Sequence, residues 1–297
     1  ILPEIKRNES SVENGAAVLG VHLEGPFINP ERKGAHNIDL IKPLDEGIKT
    51  VVDTYGKGLE NASIVTLAPE LDNSNEVIRY LSNEQNICVS LGHSASNLLK
   101  AEQAVNSGAK MITHLFNAML PYHHREPQMI GLLTSDKIKH QIYFGIIADN
   151  IHAHPSALRL AWRSLPSGLV LVTDAMAALG LGEGVYNLGS NSVKVMNDRA
   201  VLCSNENTLA GSVATIPQCI WNLSQSTKCS IAEAVKSATY IPAKVIGSKM
   251  GTLQFGSYAD LVMMENCNNS KLNVLATFTK GKLAYIDDKY GLNVNQK

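Results

Sequence analysis

The chain has 297 residues, of which 44% are hydrophobic and 18% charged, and its formal net charge is −1. This length suits one large domain, and the composition is that of a folded protein, which excludes an intrinsically disordered chain. The near-neutral charge gives no sign of a nucleic-acid-binding surface, and no apolar run reaches the roughly 18 residues needed to cross a membrane.

Short apolar runs rich in β-forming residues alternate with longer helical patterns. The runs lack strict polar alternation, as expected where both faces of a parallel sheet are buried. This rhythm predicts an α/β fold with a parallel sheet. The predicted strands are Val18–Leu23, Ser63–Ala68, Ile87–Leu91, Lys110–His114, Gln141–Ala148 and Gly168–Thr173. The predicted helices are Asn75–Asn83, Ser96–Ser107, Pro155–Leu165, Val213–Ser226 and Ile231–Ile246.

Each predicted strand runs into polar or ionisable residues at its carboxyl end. In a (β/α) barrel of the TIM type, these strand ends form the active-site face. Six strands that end in this way favour such a barrel over an open sheet. Because a closed barrel has eight strands, we expect the barrel to be N-terminally incomplete in this sequence.

The pattern changes after Ile246. Short β-like runs at Asp260–Met264, Leu275–Thr279 and Leu283–Ile286 are separated by Gly and Asn. We therefore predict a barrel domain over residues 1–246 and a small C-terminal β-sandwich portion over residues 247–297.

The five cysteines are odd in number and include no CxxC pair. This pattern predicts neither a disulfide framework nor a thiolate zinc site. The simplest compartment for such a chain is the reducing cytoplasm.

Glu24, His93 and His114 each lie at the end of a different predicted strand. Glutamate oxygen and histidine nitrogen are suitable zinc ligands, and a catalytic zinc often has three protein ligands and a position left for water. Such a zinc can lower the pKa of that water to about 7. Any one of these residues alone is more often an ordinary strand-end side chain, and only their recurrence favours a metal site.

Asp174 follows the apolar run Leu169–Thr173. A carboxylate at this point can take a proton from water and pass it to a leaving amine. Aspartate is equally favoured at a helix N-cap, and the spacing alone leaves both interpretations open.

Polar residues in the predicted βα loops are candidates for ligand binding. Arginine suits phosphate oxygens, and histidine can donate a hydrogen bond or carry a proton. Arg125 is equally well explained as a solvated loop charge, and the backbone of Leu209-Ala210-Gly211-Ser212 as either a ligand contact or a plain helix start. The loop candidates are His36, Asn117, Arg125 and His152.

A series of short segments carries a family resemblance over nearly the whole chain. They are His22-Leu23-Glu24-Gly25-Pro26-Phe27, Lys33-Gly34-Ala35-His36-Asn37, Leu67-Ala68-Pro69-Glu70, Gly92-His93-Ser94, Thr113-His114-Leu115-Phe116-Asn117-Ala118-Met119, Arg125-Glu126-Pro127, Ile147-Ala148-Asp149 with His152, Val172-Thr173-Asp174-Ala175, Leu209-Ala210-Gly211-Ser212 and Gly256-Ser257-Tyr258-Ala259-Asp260-Leu261-Val262. Each segment is weak alone, but in this order the set resembles the N-acetylglucosamine-6-phosphate deacetylases of the amidohydrolase superfamily.

The resemblance implies hydrolysis of N-acetyl-D-glucosamine 6-phosphate to D-glucosamine 6-phosphate and acetate. It implies one divalent metal per subunit, with zinc the best fit, bound by Glu24, His93 and His114. It implies that Asp174 is the general base and then the general acid, and that His36 contacts the substrate and polarises its acetyl carbonyl. The remaining implied substrate-binding residues are Ala35, Asn117, Ala118, Arg125, His152, Leu209, Ala210 and Gly211.

The resemblance also implies a homodimer in which a neighbouring subunit completes the phosphate site, here through Arg125 or His152. Members of this family have an earlier strand with an HxH-like metal motif, preceded by the first half of the β-sandwich. Neither segment occurs in this sequence, so the number of metals stays open.

Two other functions fit parts of the pattern. A dihydroorotase-like hydrolase of another amide would keep the metal ligands and Asp174 but would not need the phosphate-binding residues. A truncated, non-catalytic barrel could instead serve as a binding module.

Overall fold

The protein is described here from a computed structural model that covers residues 4–267 and 271–290. The strands are β1 Val21–Glu24, β2 Ala62–Leu67, β3 Cys88–Leu91, β4 Met111–Ile112, β5 Tyr143–Ile147, β6 Leu169–Val172, β7 Gly184–Leu188, β8 Asn191–Met196, β9 Arg199–Leu202, β10 Asn205–Ser212, β11 Leu261–Cys267, β12 Lys271–Thr279 and β13 Lys282–Ile286. The α-helices are α1 Ile48–Tyr55, α2 Ser74–Arg79, α3 Leu98–Asn106, α4 Pro155–Ser164, α5 Ile216–Thr227, α6 Ile231–Lys236 and α7 Tyr240–Val245.

Strands β1 to β6 form one parallel sheet in chain order. The sheet curls, so that Leu19, Met111 and Val170 line one cavity of about 720 Å³ on its concave face. Among the described residues β1 and β6 stay at opposite edges of the sheet, which is therefore a half-barrel. The predicted parallel sheet is confirmed, whereas the N-terminally incomplete TIM barrel stays a prediction.

The sheet core consists of apolar side chains from the strand centres and from the helices around them. Val65, Val89, Phe144 and Ile146 are fully buried, as expected for strands that are covered on both faces. Helix α4 adds Leu158 to the same core. Burial of these side chains removes apolar surface from water, which is the main force that holds the layers together.

Side-chain caps fix where several predicted helices begin. Asn97 accepts a hydrogen bond from the Lys100 amide at the start of α3, and Thr215 accepts one from Gln218 at the start of α5. Each cap satisfies an amide that has no partner inside its helix. Four of the five predicted helices occur in the structure with shifted ends, and the fifth is divided in two.

The helix predicted over Ile231–Ile246 is divided into α6 and α7. The division has a physical cause, because the Ser237 carbonyl accepts the Leu171 amide of β6 at 2.9 Å. Thr239 then leaves helical geometry, with φ −132° and ψ −80°. Docking on the sheet edge therefore interrupts a helix that the periodicity alone makes continuous.

Strands β7 to β10 form an antiparallel sheet that lies in sequence between β6 and α5. Neither this sheet nor helix α1 was predicted from the sequence. Its own core contains Met176, Val193, Val195 and Ala210. The sequence left Leu209–Ser212 open as either a ligand contact or a plain helix start. The helix-start interpretation is wrong, because the segment belongs to β10 and α5 begins only at Ile216.

Strands β11 to β13 form a third, antiparallel sheet at the predicted β-like runs. Leu272 of β12 joins the core that the parallel sheet and α5 share. The β-rich nature of the C-terminal segment is confirmed, while its separation at residue 247 as a domain stays a prediction. None of the helices in the described ranges is long and apolar enough to pass through a membrane.

Two leucines of α4 test the importance of the buried core. Leu158 is fully buried and Leu160 is 53% exposed on the same helix, so replacement by Ala changes helix propensity equally. We expect Leu158→Ala to lower the free energy of unfolding by about 3–5 kcal/mol and Leu160→Ala by less than about 1 kcal/mol. Guanidinium unfolding measures both, and equal losses would contradict this assignment of the core.

Candidate metal centre and active site

Three side chains converge at the carboxyl ends of the parallel strands. Glu24 ends β1, His93 follows β3 and His114 follows β4. One donor atom from each lies within 4.8 Å of the others. The structure therefore brings together the three residues that the sequence predicts as metal ligands.

The donor atoms point to a common centre. His93 Nε2 lies 2.6 Å and His114 Nε2 lies 3.1 Å from the same Oε1 atom of Glu24, and the two Nε2 atoms are 3.0 Å apart. The Arg32 carbonyl accepts a hydrogen bond from His93 Nδ1 at 2.7 Å, which leaves Nε2 available as a ligand. This orientation of one ring nitrogen by a carbonyl is usual for metal-bound histidine.

The electrostatics of the cluster favour a cation. Burial raises the pKa of Glu24, but hydrogen bonds from His114 and His93 outweigh burial and lower the pKa well below its ordinary value. Burial lowers the pKa of His114, but the Glu24 carboxylate outweighs burial and raises the pKa. The lowered pKa of Glu24 and the raised pKa of His114 both describe a centre that stabilises positive charge. With two imidazoles and one carboxylate, the donors fit a divalent metal.

Several residues of this site have positive φ, which is uncommon for residues other than glycine. The φ angles are 48° at His93, 27° at His114 and 48° at Asp174. Such conformations cost of order 1–3 kcal/mol each and persist only where the surroundings hold them. The strain therefore lies at the residues that the sequence predicts as functional.

Asp174 follows β6 and faces the same cavity as the cluster. Enclosure raises the pKa of Asp174, as does the nearby Glu24 carboxylate, while His114, His152 and His93 oppose the rise. The Ser212 amide donates to the Asp174 carbonyl at 2.8 Å. A Cβ at Gly211 would lie 2.9 Å from the same carbonyl oxygen, so glycine is needed there for β10 to approach.

His36 lies in the loop that follows β1, beside the cluster. Its Nε2 lies 3.1 Å from the Glu24 carbonyl and its Nδ1 lies 3.0 Å from the Lys33 carbonyl. The ring packs edge-on against His93 at a centroid distance of 4.7 Å. Contacts with two backbone carbonyls thus place His36 against His93, a predicted metal ligand, and at the wall of the cavity.

His152 is oriented by Asp149, three residues earlier. Asp149 Oδ2 lies 2.7 Å from His152 Nδ1, and Asp149 Oδ1 accepts the His152 amide at 2.8 Å. Burial raises the pKa of Asp149, but the contacts with His152 outweigh burial and lower it. His152 Nδ1 therefore carries the proton towards Asp149, and Nε2 is left for the cavity.

One cavity of about 880 Å³ unites most of the predicted substrate-binding residues. Arg125 is the main exception, because it lies in an exposed loop beside His124 Nε2, at 3.2 Å, and outside this cavity. Ala210 is also outside, buried in the neighbouring core. The predicted residues that line the cavity are Glu24, Ala35, His36, His93, His114, Asn117, Ala118, His152, Asp174, Leu209 and Gly211.

Sequence reasoning gave no role to three polar residues of this region. Arg32 lines the cavity, and its Nε is buried without a hydrogen-bond partner among the described residues. Asp149 orients His152, and Glu70 links two loops of the site. The positions of Asp149 and Glu70 after predicted strands could have indicated a role in the site. No sequence pattern indicated that the cation Arg32 lines the cavity.

The profile of the amidohydrolase family matches residues 6–284. This match covers the whole parallel sheet, the Glu24–His93–His114 cluster and most of the C-terminal sheet. It therefore defines the class of the protein as an amidohydrolase.

The chain is also similar to curated proteins named N-acetylglucosamine-6-phosphate deacetylase. It is 49% identical to the Bos taurus protein, covering 96% of this chain and 69% of that protein. It is 46% identical to the Homo sapiens protein (97% and 70% covered) and 38% identical to the Bacillus subtilis protein (95% and 69% covered). The chain belongs to the N-acetylglucosamine-6-phosphate deacetylase family within the amidohydrolases.

Solved structures of this family resemble the fold. The Thermotoga maritima deacetylase superimposes with a TM-score of 0.78 at 32% identity, covering 91% of this chain and 70% of that one. A mutant deacetylase from Mycobacterium smegmatis, in complex with N-acetyl-D-glucosamine-6-phosphate, gives a TM-score of 0.80 at 32% identity, with 89% and 68% covered.

Replacement of one ligand tests the metal centre. We expect His93→Gln to weaken zinc binding at least about 100-fold, more than the 10–100-fold typical for loss of a residue that only supports a ligand. His140→Gln is the control, because His140 is exposed and outside both cavities. Competition between the apoprotein and a chromophoric chelator measures the affinity. Unchanged zinc affinity in His93→Gln would refute the assignment of His93 as a ligand.

Proposed function

We propose that the protein hydrolyses the acetamide of N-acetyl-D-glucosamine 6-phosphate to D-glucosamine 6-phosphate and acetate. The observation that carries this proposal is that the Glu24–His93–His114 cluster and Asp174 line the same cavity as Asn117 and His152. The family relatives bear the name of this activity, and the related Mycobacterium smegmatis enzyme has been solved with this sugar phosphate.

We assign one zinc per subunit to Glu24, His93 and His114. Imidazole nitrogen and a single carboxylate suit zinc, whereas magnesium and calcium prefer sites built from oxygen ligands. Bound there, the metal supplies a Lewis acid that polarises the amide carbonyl and makes water more acidic.

Asp174 moves the proton in this reaction. Its Oδ atoms accept the proton of the attacking water as the new C–O bond forms, and they return it to the nitrogen as the C–N bond breaks. Acetate and the free amine are the products. The raised pKa of Asp174 supports both halves of this role, because a more basic carboxylate is a better acceptor and its acid is still able to donate.

His36 is assigned to the acetyl group. Its ring lies beside His93 and at the cavity wall. A neutral imidazole carries one N–H group, and this group would turn from its backbone carbonyl to the carbonyl oxygen of the bound substrate. Hydrogen bonds that strengthen as charge develops on this oxygen lower the barrier.

The phosphate is assigned to the part of the cavity that His152, Asn117 and Ala118 line. Asp149 holds the Nδ1 proton of His152, and a second proton on Nε2 would let this ring donate to a phosphate oxygen. Asn117 and the Ala118 backbone line the same cavity. Ala35, Leu209 and Gly211 would enclose the sugar, with Ala210 behind them. The phosphate is distant from the bond that breaks, and binding it in a fixed position orients the acetyl group.

Arg125 is assigned to the phosphate site of a second copy of the chain, in a homodimer. Its exposed loop, outside the cavity of its own subunit, supports this assignment. The guanidinium can donate two N–H groups to phosphate oxygens in a bidentate geometry. We further assign the enzyme to the cytoplasm, in keeping with the free thiols of Cys88, Cys203, Cys219 and Cys229.

Replacement of Asp174 tests the proton-transfer role. We expect Asp174→Asn to lower kcat by about 100- to 10,000-fold without loss of zinc. Asp198→Asn is a matched control, because Asp198 also has a positive φ, of 60°, but lies in an exposed turn between β8 and β9. Acetate release and metal content are measured together, and near-normal turnover in zinc-loaded Asp174→Asn would reject its assignment as base.

Replacement of Arg125 tests the phosphate assignment. Hydrogen bonds to charged groups contribute about 1.5–3 kcal/mol, so we expect Arg125→Ala to lower kcat/KM for the phosphorylated sugar by roughly 10- to 100-fold. Turnover of unphosphorylated N-acetylglucosamine should stay the same. Arg163→Ala, at an exposed position on α4, is the control.

Mixed dimers of Arg125→Ala and Asp174→Asn subunits distinguish the two possible origins of Arg125. If the arginine acts in the partner's site, one site of each mixed dimer has both residues and activity returns on mixing. If it acts within its own subunit, neither site is complete and mixing restores nothing, which would overturn the shared phosphate site.

A further inference from the structure

Glu70 follows β2, between the strands that carry two of the metal ligands, and its carboxylate accepts three hydrogen bonds. Oε1 accepts the Asn29 side-chain amide at 2.9 Å and the Ala95 backbone amide at 2.6 Å, while Oε2 accepts the Ser94 hydroxyl at 2.7 Å. Such charge-assisted hydrogen bonds are about twice as strong as neutral ones. Glu70 itself lines neither cavity described above.

The three donors belong to two loops of the metal centre. Ser94 and Ala95 come directly after the ligand His93, whereas Asn29 lies in the loop that runs from Glu24 to His36. This second loop returns to His93 at two points: the Asn29 amide donates to the His93 carbonyl at 2.9 Å, and the Arg32 carbonyl accepts His93 Nδ1 at 2.7 Å. Glu70 thus holds both loops that contact this ligand.

The backbone at His93 needs such support. Its φ of 48° is unfavourable for a residue with a Cβ, because the Cβ then lies close to the following carbonyl oxygen. Gly92 before it is packed so closely that an added Cβ would lie 2.7 Å from Thr113 Cβ. A strained turn persists only where its surroundings hold it. Close packing fixes this turn at Gly92, and hydrogen bonds are needed to fix it after His93.

We propose that Glu70 is a positioning residue of the metal centre, which fixes His93 in the orientation that directs Nε2 to the metal and keeps the loop of His36 against it. Glu70 contacts neither metal nor substrate. The inference rests on the metal centre of the proposed function, but it does not depend on which amide is hydrolysed.

The hydrogen-bond chemistry predicts which substitution at Glu70 is tolerated. Glutamine keeps one oxygen for Asn29 and Ala95, and its amide group can donate to the Ser94 hydroxyl, which has two lone pairs and already accepts the Ser96 amide at 2.9 Å. Methionine has a similar length but leaves all three donors without a strong acceptor. Rescue by glutamine therefore separates a hydrogen-bonding role from a requirement for negative charge.

Zinc affinity of the apoprotein, measured by competition with a chromophoric chelator, tests the proposal. We expect Glu70→Met to weaken zinc binding by about 10- to 100-fold and Glu70→Gln by no more than about threefold, since its three hydrogen bonds persist.

Substitution of Glu102 provides a matched control. Glu102 is a buried carboxylate on α3 that accepts the Ser135 hydroxyl at 2.6 Å, and it lines neither cavity. Glu102→Met should lower the Tm and leave zinc affinity unchanged. Zinc affinity of Glu70→Met equal to that of the wild type, or an equal loss in Glu102→Met, would overturn the positioning role.

Ser94→Ala keeps the proposal testable if Glu70→Met does not fold. It removes one of the three hydrogen bonds to Glu70, together with the one that Ser94 Oγ accepts from the Ser96 amide. We expect it to weaken zinc binding several-fold, and unchanged affinity would also overturn the proposal. A wild-type protein that binds zinc but releases no acetate from the sugar phosphate would reject only the proposed reaction. A wild-type protein that binds no zinc would reject both.

Discussion

The architecture of the site depends on the convergence of two imidazole nitrogens on a single carboxylate oxygen. Both Nε2 atoms, of His93 and His114, lie within hydrogen-bond distance of Glu24 Oε1. Such an arrangement is costly to bury unless a positive charge compensates the carboxylate. The shifted pKa values of Glu24 and His114 express that requirement, and a bound cation would satisfy it.

The parallel register is what makes this convergence possible. Glu24 is paired with Thr66, Thr66 with Ser90 and Ser90 with Met111, so the ligand-bearing strands end at one level. Beneath the cluster, hydroxyl groups form a buried chain, because Thr113 Oγ1 lies 2.7 Å from Thr66 and 2.6 Å from Ser90. His22 Nε2 continues the chain at 2.7 Å from Thr66 Oγ1. A buried polar network whose members satisfy one another gives rigidity, here directly under the metal ligands.

The sequence was most informative where function lies at strand ends. The residues Glu24, His93, His114 and Asp174 are far apart in the chain, yet the rule that parallel strands direct their carboxyl ends to one face placed them together correctly. The rule gives no information about residues whose role depends on a partner elsewhere. Glu70 is such a residue, since its importance arises from Asn29 and Ser94 on two separate loops.

The antiparallel sheet was missed for a different reason. Its signal was present, because Val193 and Val195 alternate with Lys194 and precede Asn197-Asp198, two residues with positive φ in the connection from β8 to β9. Asn and Asp favour such hairpin turns. The many short Gly- and Asn-rich stretches around this hairpin obscured it, and with it the sheet that supplies Leu209 and Gly211 to the cavity.

Sequence patterns could not predict which subunit Arg125 serves. A charged loop residue has the same sequence pattern whether it acts in its own subunit or in another.

The loop after β1 connects the predicted metal centre with the predicted substrate-binding residue His36. Its first residue neighbours Glu24, its carbonyl at Arg32 orients His93, and its His36 ring rests on the His93 ring. A displacement of this loop would therefore move His93 and His36, a predicted metal ligand and a predicted substrate-binding group, together. Glu70 anchors the loop through Asn29, on the side away from the cavity. Because Glu70 lines neither cavity, its hydrogen bonds leave the cavity-facing surface of the loop free for a bound substrate. The same hydrogen bonds fix the geometry of that surface.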